Sequence, residues 1–483
     1  MNRIRRFADY VKENKDRQVD PKQLVLDHCE TLYALALIAF AVSPAYQFFS
    51  NLIVDRNTAF NGFYTYNYTV FYFIWFAIIL AVASAVVCRI KAKTDGPAMP
   101  KAKRIPMYFF LAFCLCIIIS TCINGFTIYV FEGYSGRYES IFSFLSYFLA
   151  FYFCGSLIKS ESKKRAVIIA YLVSNAIIDL ACRWHIFIKP IGIWEYSDHD
   201  APSAVFYQFN HYGYFLMLAI VISAALFVAE KRIKTRIFAA VMLALNTFIL
   251  SMNTTFGCFL ACIVGLVFLI FADSVVNRRF SFAAFAMFAL FMSVTFLAGL
   301  KYHSFFNELG LFFTDIKSVM GSMSEDVVDA ANEQAQSAVP AASAAADSAG
   351  TGRWGLWRNT IGYIRERPVF GWGIEGIAER LYEDSAHLNN RPHNEYMQYA
   401  AFFGIPAALI YIGGVASVFI GAWRSRKRMG GFTVACLAAA VTYAFSAIFG
   451  NTMFYTAPFF FIFLGLTNNT ASADAESEIN NKL

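Results

Sequence analysis

Charge is what this sequence has least of. Asp, Glu, Lys and Arg make up only 15% of its 483 residues, while 58% are hydrophobic. A soluble domain needs a mixed charged surface, so this balance argues for a bilayer as solvent. Paired thiols are missing as well. None of the ten cysteines forms a CxxC pair, and Cys114, Cys116, Cys122, Cys258 and Cys262 sit inside apolar runs. They read as packing or lipid-facing residues, not as a disulfide framework or metal ligands. Residues 1–20 lack the apolar core and small-residue cleavage site of a secretory leader. Ile4, Phe7, Ala8 and Val11 instead share one face of a helix suited to a membrane surface. No internal repeat is visible.

What is present in quantity is apolar sequence, in lengths near the ~20 residues that cross a bilayer as a helix. Twelve runs stand out, at about 31–49, 68–88, 105–123, 140–158, 166–187, 211–229, 237–251, 255–272, 281–300, 394–423, 432–449 and 453–467. Basic clusters ("NRIRR", "CRIKAKTDGPAMPKAKR", "KSESKKR", "EKRIKTR", "NRR" and "RSRKR") fall in every second connection. Because cytoplasmic loops carry the excess of Lys and Arg, this predicts an all-α polytopic membrane protein of about twelve transmembrane helices, both termini cytoplasmic. The net charge of +7 then belongs to loops against an anionic leaflet and does not point to nucleic acid.

The expected order is a cytoplasmic segment (1–30), a nine-helix membrane region (31–300), one large extracytoplasmic loop (301–392), a three-helix region (393–467) and a cytoplasmic tail (468–483). Within the loop, 324–352 is rich in Ala, Ser and acids without aromatics, which predicts a flexible or loosely helical linker. Residues 353–392 have the makings of order. Trp354, Trp357, Ile361 and Ile364 recur at helical spacing over 353–366; Pro368 ends that helix, and Gly371 and Gly373 form a turn. Ile374, Ile377, Ala378 and Leu381 suggest a second short helix.

The stretch "RPHNEYMQYAAFFG" puts His393 at the mouth of a late apolar run. Pro392 suits the first turn of a helix, which would set the imidazole at a helix N-terminus. A histidine there can accept a proton near neutral pH, or it can be a wet interfacial anchor. Arg353, Arg358, Arg365, Arg367, Arg380 and Arg391 crowd the same loop. Guanidinium groups suit phosphate oxygens, though a long loop also tolerates solvated charge. Arg183 is open to two readings, a phosphate contact at the outer boundary or an i,i+4 ion pair with Asp179. Other outer connections carry Arg137, His199 and His211. "SDHD" around His199 has no second histidine at ligand spacing, so no metal site is expected.

"GRWGLWRNTIGYIRERPVFGWGIEG" followed by "RPHNEYMQYAAFFGIPAALIYIGG" resembles the O-antigen ligase and polymerase family of bacterial membrane proteins. The matching residues are Arg353 and Trp357, then Pro368, Gly371 and Gly373, then His393 and Asn394, with Gly404 beyond. "FYQFNHYGYFLMLA" (206–219) is similar to the family's entry to a middle helix, with Asn210 and His211 in place. Two departures stand out. Ala407, Ala408 and Leu409 occupy the place of the ligases' Gly-Thr-Thr triplet, and "MNTTFGC" (252–258) has no arginine where members often carry Ser-Arg-Gly.

The resemblance implies a glycosyltransferase of cell-envelope or lipopolysaccharide biosynthesis in the bacterial plasma membrane. Its donor would be an undecaprenyl-pyrophosphate-linked oligosaccharide, its acceptor a glycan or lipid-linked glycan, with the site facing outward and no metal or other cofactor. It also implies the site residues: His393 and Arg353 as catalytic groups, and Arg391, Asn394, Arg358, Arg183, Arg137, Asn210 and His211 around the substrate. Polymerase and ligase both stay open. The rival class is a lipid-linked glycan flippase or other twelve-helix transporter, which should show paired halves and midplane ionisable residues.

Overall fold

The computed structural model describes residues 21–54, 101–134, 138–187, 204, 206, 209–253, 255–302, 310, 314, 339–385, 389–452 and 454–468. The expected span at 68–88, together with Arg137 and His199, lies outside the described residues. Those residues are helical and contain no strand. The first ten helices are α1 (Pro21–Ala41), α2 (Ser43–Val54), α3 (Lys101–Asn124), α4 (Ile128–Glu132), α5 (Ile141–Leu157), α6 (Glu161–Phe187), α7 (Phe209–Ala229), α8 (Ile233–Asn253), α9 (Phe256–Asn277) and α10 (Phe282–Tyr302). After these come α11 (Val339–Glu366), α12 (Ala378–Asp384), α13 (Glu395–Phe403), α14 (Ile405–Arg424), α15 (Gly431–Ser446) and α16 (Ala457–Asn468).

Seven of these helices, α3, α6, α7, α8, α9, α10 and α14, contain segments long and apolar enough to cross a membrane. Their outward faces show why a bilayer is needed. On α3, Tyr108, Leu111, Leu115, Ile119 and Ile123 are all exposed at helical spacing, an apolar stripe that water would not tolerate. α7 is the opposite case: every residue from Tyr212 to Leu226 is buried, because α8, α9, α10, α15 and α6 pack around it. Small residues let these helices approach closely. A Cβ on Gly265 of α9 would fall 1.9 Å from Thr442 Oγ1 on α15, and one on Gly465 of α16 would meet the Phe151 carbonyl of α5 at 2.5 Å.

Among the described residues, the basic connections around 159–165 and 230–232 and the residues leading into α15 are tied together by acids. Glu30 Oε1 accepts the N–H groups of Lys159 and Ser160, each at 2.8 Å. Glu161 reaches across to the start of α15 and accepts from the N–H groups of Phe432 (2.9 Å) and Thr433 (3.2 Å). Gly430 has no side chain with which to cap α15, so a carboxylate from α6 does it, where the helix dipole favours an anion. Arg165 donates to Glu230 at 2.6 Å. Burial works against ionising Glu230, but N–H donors from Arg232 and Lys231 together with Arg165 outweigh it and hold the carboxyl below its usual range.

Two predicted runs are each two helices. The run at 31–49 breaks at Val42, and that at 394–423 breaks at Gly404. Gly404 has φ +93°, and a Cβ there would lie 2.0 Å from the Val369 carbonyl oxygen. The loop 368–373 lies against this break: Ile405 donates to the Pro368 carbonyl (2.8 Å), Trp372 to Ala401 (2.9 Å) and Gly373 to Phe402 (2.8 Å). Ser120 near the end of α3 donates to both the Phe370 and the Phe402 carbonyls, at 2.6 and 3.0 Å. The loop's own turn needs Gly371 at φ +65°, where a Cβ would strike the backbone of Phe402 at 2.4 Å. α11 starts at Val339, so the alanine-rich stretch from there to Arg353 is helical. The second short helix spans 378–384, later than the apolar spacing suggested, because 374–377 are turns.

Gly404→Ala combines left-handed backbone with a carbonyl clash and is expected to destabilise the fold by at least the ~1–3 kcal/mol of such strain. Gly421→Ala on α14, where nothing lies within 4 Å, should be neutral or mildly stabilising. Thermal unfolding of both variants in detergent checks this contrast.

Candidate active site

At the end opposite the basic connections, the ends of α5, α7, α9, α13 and α16 surround a cleft of about 340 Å³. Its walls include Glu139, Asn210, His211, Tyr214, Thr255, Arg353, Asn389, Arg391, His393, Asn451 and Tyr455. Residues far apart in sequence meet here because the described entries to α5, α7, α9, α13 and α16 border it together.

Arg391 is the hub of the cleft wall. Its side chain is buried, and it donates from Nη1 to Glu139 Oε2 and from Nη2 to Glu375 Oε1, both carboxylates also buried. Gln398 of α13 donates to the same Glu139 oxygen at 3.3 Å, and its own Oε1 accepts from the Thr452 N–H, also at 3.3 Å. One guanidinium thus joins the approach to α5, the turn before α12 and the entry to α13. Three of the five described non-glycine residues with positive φ belong to this hub or adjoin it: Tyr138 (52°), Glu375 (59°) and His393 (51°). Strained backbone of this kind persists where the surrounding structure over-determines it, and it clusters at functional sites.

His393 lies just before α13. Asn394 is the N-cap: its Oδ1 accepts from Met397 N–H at 3.0 Å, and its carbonyl accepts from Gln398. Pro392 therefore precedes the cap and does not form the first helical turn, as proposed from its fixed φ. What holds His393 is Asn451, whose Oδ1 accepts the His393 N–H at 2.8 Å, and Trp357, whose indole donates to the Pro392 carbonyl at 2.8 Å. The ring Nε2 lies 3.2 Å from Asn389 Oδ1.

The arginines of the loop divide into three groups. Arg353 and Arg391 line the cleft. Arg367 and Arg380 lie over the Trp372 ring, 4.0 and 4.3 Å from its centroid. Arg358 and Arg365 are exposed on α11 and do not line the cleft. Around Trp372 the loop is locally stapled: its indole donates to the Tyr363 carbonyl at 2.9 Å, and the Tyr363 hydroxyl donates to Asp384. Partial burial, and then the facing Asp384 carboxylate, push the Tyr363 hydroxyl above its ordinary value, so it stays a donor.

Of the remaining predicted site residues, Asn210 and His211 line the cleft. Asn210 Oδ1 accepts from Thr255 at 3.2 Å, and the His211 ring lies 5.0 Å from that of Tyr455. Arg183 is not among the lining residues; its guanidinium lies over Phe248 at 4.0 Å and donates to Met252 Sδ at 3.2 Å. Asp179 accepts from the Tyr212 hydroxyl at 2.6 Å. Asn394 caps α13, and Arg137 is outside the described residues. No group of three or more His, Cys, Asp or Glu that could hold a metal ion occurs among the described residues.

Sequence reasoning missed Glu139, Glu375, Asn389 and Asn451. Each is a single polar residue in a short connection, and only the pairing across 252 residues between Glu139 and Arg391 gives it meaning.

The fold and cleft define a polytopic helical membrane protein with a buried ionic hub and a cationic, imidazole-bearing cleft at one end of the bundle. A family model described as O-antigen ligase matches residues 238–412, which contain Arg353, Glu375, Arg391 and His393. That match supports assignment to the O-antigen ligase/polymerase family of glycan-transferring membrane enzymes. No curated protein matches the chain.

Arg391→Ala would leave two buried carboxylates without their counter-charge and should cost about 3–5 kcal/mol of stability. Adding Glu139→Gln and Glu375→Gln to that variant should restore part of the loss. Denaturant unfolding followed by tryptophan fluorescence distinguishes the single from the triple variant.

Proposed function

We propose that the protein moves a glycan from an undecaprenyl-pyrophosphate carrier onto an acceptor hydroxyl, at the outer face of a bacterial plasma membrane. The observation that carries this reading is the meeting of Arg353 and His393, both within the family-matched segment, in one cleft whose wall is braced by the Arg391 hub. An outward-facing cleft in a twelve-helix topology is the reading supported by the positive-inside rule, since the described basic connections at 159–165, 230–236 and 424–428 are at the other end of the helices that border the cleft.

In the proposed reaction the acceptor oxygen attacks the anomeric carbon as the bond from that carbon to the pyrophosphate oxygen breaks. His393 takes the hydroxyl proton, and undecaprenyl pyrophosphate leaves with the bonding electron pair. Arg353 is the cation we assign to the departing phosphates. Arg391 contributes less to that task, since two carboxylates already offset its charge. We assign it to holding the cleft wall and the His393 approach in place. Asn210 and His211 border the same space and would contact sugar hydroxyls. The bond energy of the donor drives the transfer, so no nucleotide is required.

The test supplies purified protein in detergent with lipid-linked oligosaccharide and acceptor, with and without EDTA. Released carrier pyrophosphate and extended or transferred glycan are followed by mass spectrometry. Turnover should persist in EDTA. His393→Ala should lower kcat by ~10²–10⁴-fold, the usual contribution of a positioned acid–base group. Arg353→Ala should cost ~10²–10³-fold, as expected for loss of one preorganised charge-stabilising donor. A wild-type protein that releases no carrier with suitable acceptors present would favour transport instead, and normal turnover by His393→Ala would remove that residue from the chemistry.

A further inference from the structure

A second cavity, of about 190 Å³, lies between the end of α3, α4 and the turn that leads into α12. Its chemistry differs from that of the larger cleft. Asn124, Thr127, Tyr129, Tyr134, Trp372 and Glu379 line it, and no basic side chain does. The rings of Tyr129 and Tyr134 are stacked, with centroids 5.6 Å apart and planes 25° apart, and both are only partly covered. Thr127 occupies the N-cap position of α4, yet its hydroxyl does not cap that helix. Glu379 is exposed in the first turn of α12.

Flat aromatic faces bordered by hydroxyl, amide and carboxylate groups are what the apolar faces and hydroxyl edges of a sugar ring require. Arg367 and Arg380 lie over the Trp372 ring but are not among the lining residues, so a phosphate would meet no basic side chain on the cavity wall. The two cavities are also physically joined. Glu375 lines the smaller one and Glu139 the larger, and the Arg391 guanidinium bonds to both. The ion-paired series Glu375–Arg391–Glu139 therefore links the wall of one cavity to the wall of the other.

We propose that this second cavity is a saccharide subsite for the acceptor glycan, taking a neutral or amino sugar without its phosphate. The proposal rests on the transferase reading above, under which the donor's pyrophosphate needs the cleft that Arg353 lines and leaves the cavity without a lining cation to the other substrate. Binding there would hold the acceptor chain on the far side of Arg391 from the leaving group, with its reactive end brought round to the cleft.

The probe is carrier-free oligosaccharide released from the lipid-linked donor by mild acid, titrated calorimetrically into the full-length protein in detergent. Wild type should bind it saturably. Tyr134→Ala and Glu379→Gln, both at partly or fully exposed positions, should each weaken binding ~5–10-fold, the scale of one lost aromatic or charged contact. Arg353→Ala should leave it within about twofold of wild type. Binding that ignores both cavity substitutions in folded protein, or that falls instead with Arg353→Ala, would place the sugar in the larger cleft and overturn the proposal. An equal fall in affinity for the intact lipid-linked donor in Tyr134→Ala would assign the cavity to donor sugars and overturn it as well. A protein that binds the oligosaccharide in the expected pattern but never releases carrier pyrophosphate keeps the subsite and loses the transferase reading.

Discussion

The bond set of Arg391 is the constraint on which this end of the molecule depends. A buried guanidinium is tolerable only when its charge and donors are matched, and here two buried carboxylates match it. Each of the three groups would be costly alone. Together they lock three connections that share no local sequence: the entry to α5, the turn before α12 and the approach to α13. The left-handed backbones of Tyr138, Glu375 and His393 are held beside that lock. Energy released by ion pairing and hydrogen bonding in a dry site sustains dihedral angles that free chain would abandon.

Below the hub the same economy continues with neutral donors. Glu395, the first residue of α13, is buried and accepts the hydroxyls of Tyr411 (2.6 Å) and Tyr443 (3.0 Å), while its N–H donates to the Ala447 carbonyl at 2.8 Å. α13 is thus fastened to α14 and α15 at its base and to Glu139 through Gln398. A nine-residue helix has little stability of its own. Its rigidity is borrowed from these side-chain bonds and from the loop 368–373 lying across its C-terminal end. Broken membrane helices often mark ion pathways in transporters. Here the break at Gly404 serves instead to seat a loop.

The helices of the bundle were legible because apolar periodicity and run length report burial in lipid or protein directly. α7, α9 and α10 fall close to where their runs predict them. The breaks at Val42 and Gly404 were not visible, since an apolar run looks the same whether the backbone continues or turns. Gly404 becomes informative only once Val369 is seen against it. That His393, Arg353, Asn210 and His211 come together in one cleft was foreshadowed by the family pattern they share in the sequence. Glu139 and Glu375 were not, because nothing local separates an acid that binds a buried arginine from one that meets water. Arg391 was expected as a cation for substrate on its type and position; it lines the cleft, and its two partners, lying 252 and 16 residues away, were not legible in the sequence.

The enclosure of α7 has a consequence for how the protein is made. Its residues 212–226 touch other helices on every side, so none of its apolar surface is needed for contact with lipid in the finished fold. Yet a helix enters the bilayer singly, before its later neighbours α9, α10 and α15 have been synthesised. The nearly unbroken apolarity of α7 from Phe215 to Ile222 therefore suits insertion and is retained after assembly has hidden it. A polar residue on α7 that found a partner in the final structure would still burden the nascent chain, which must cross the lipid before that partner exists.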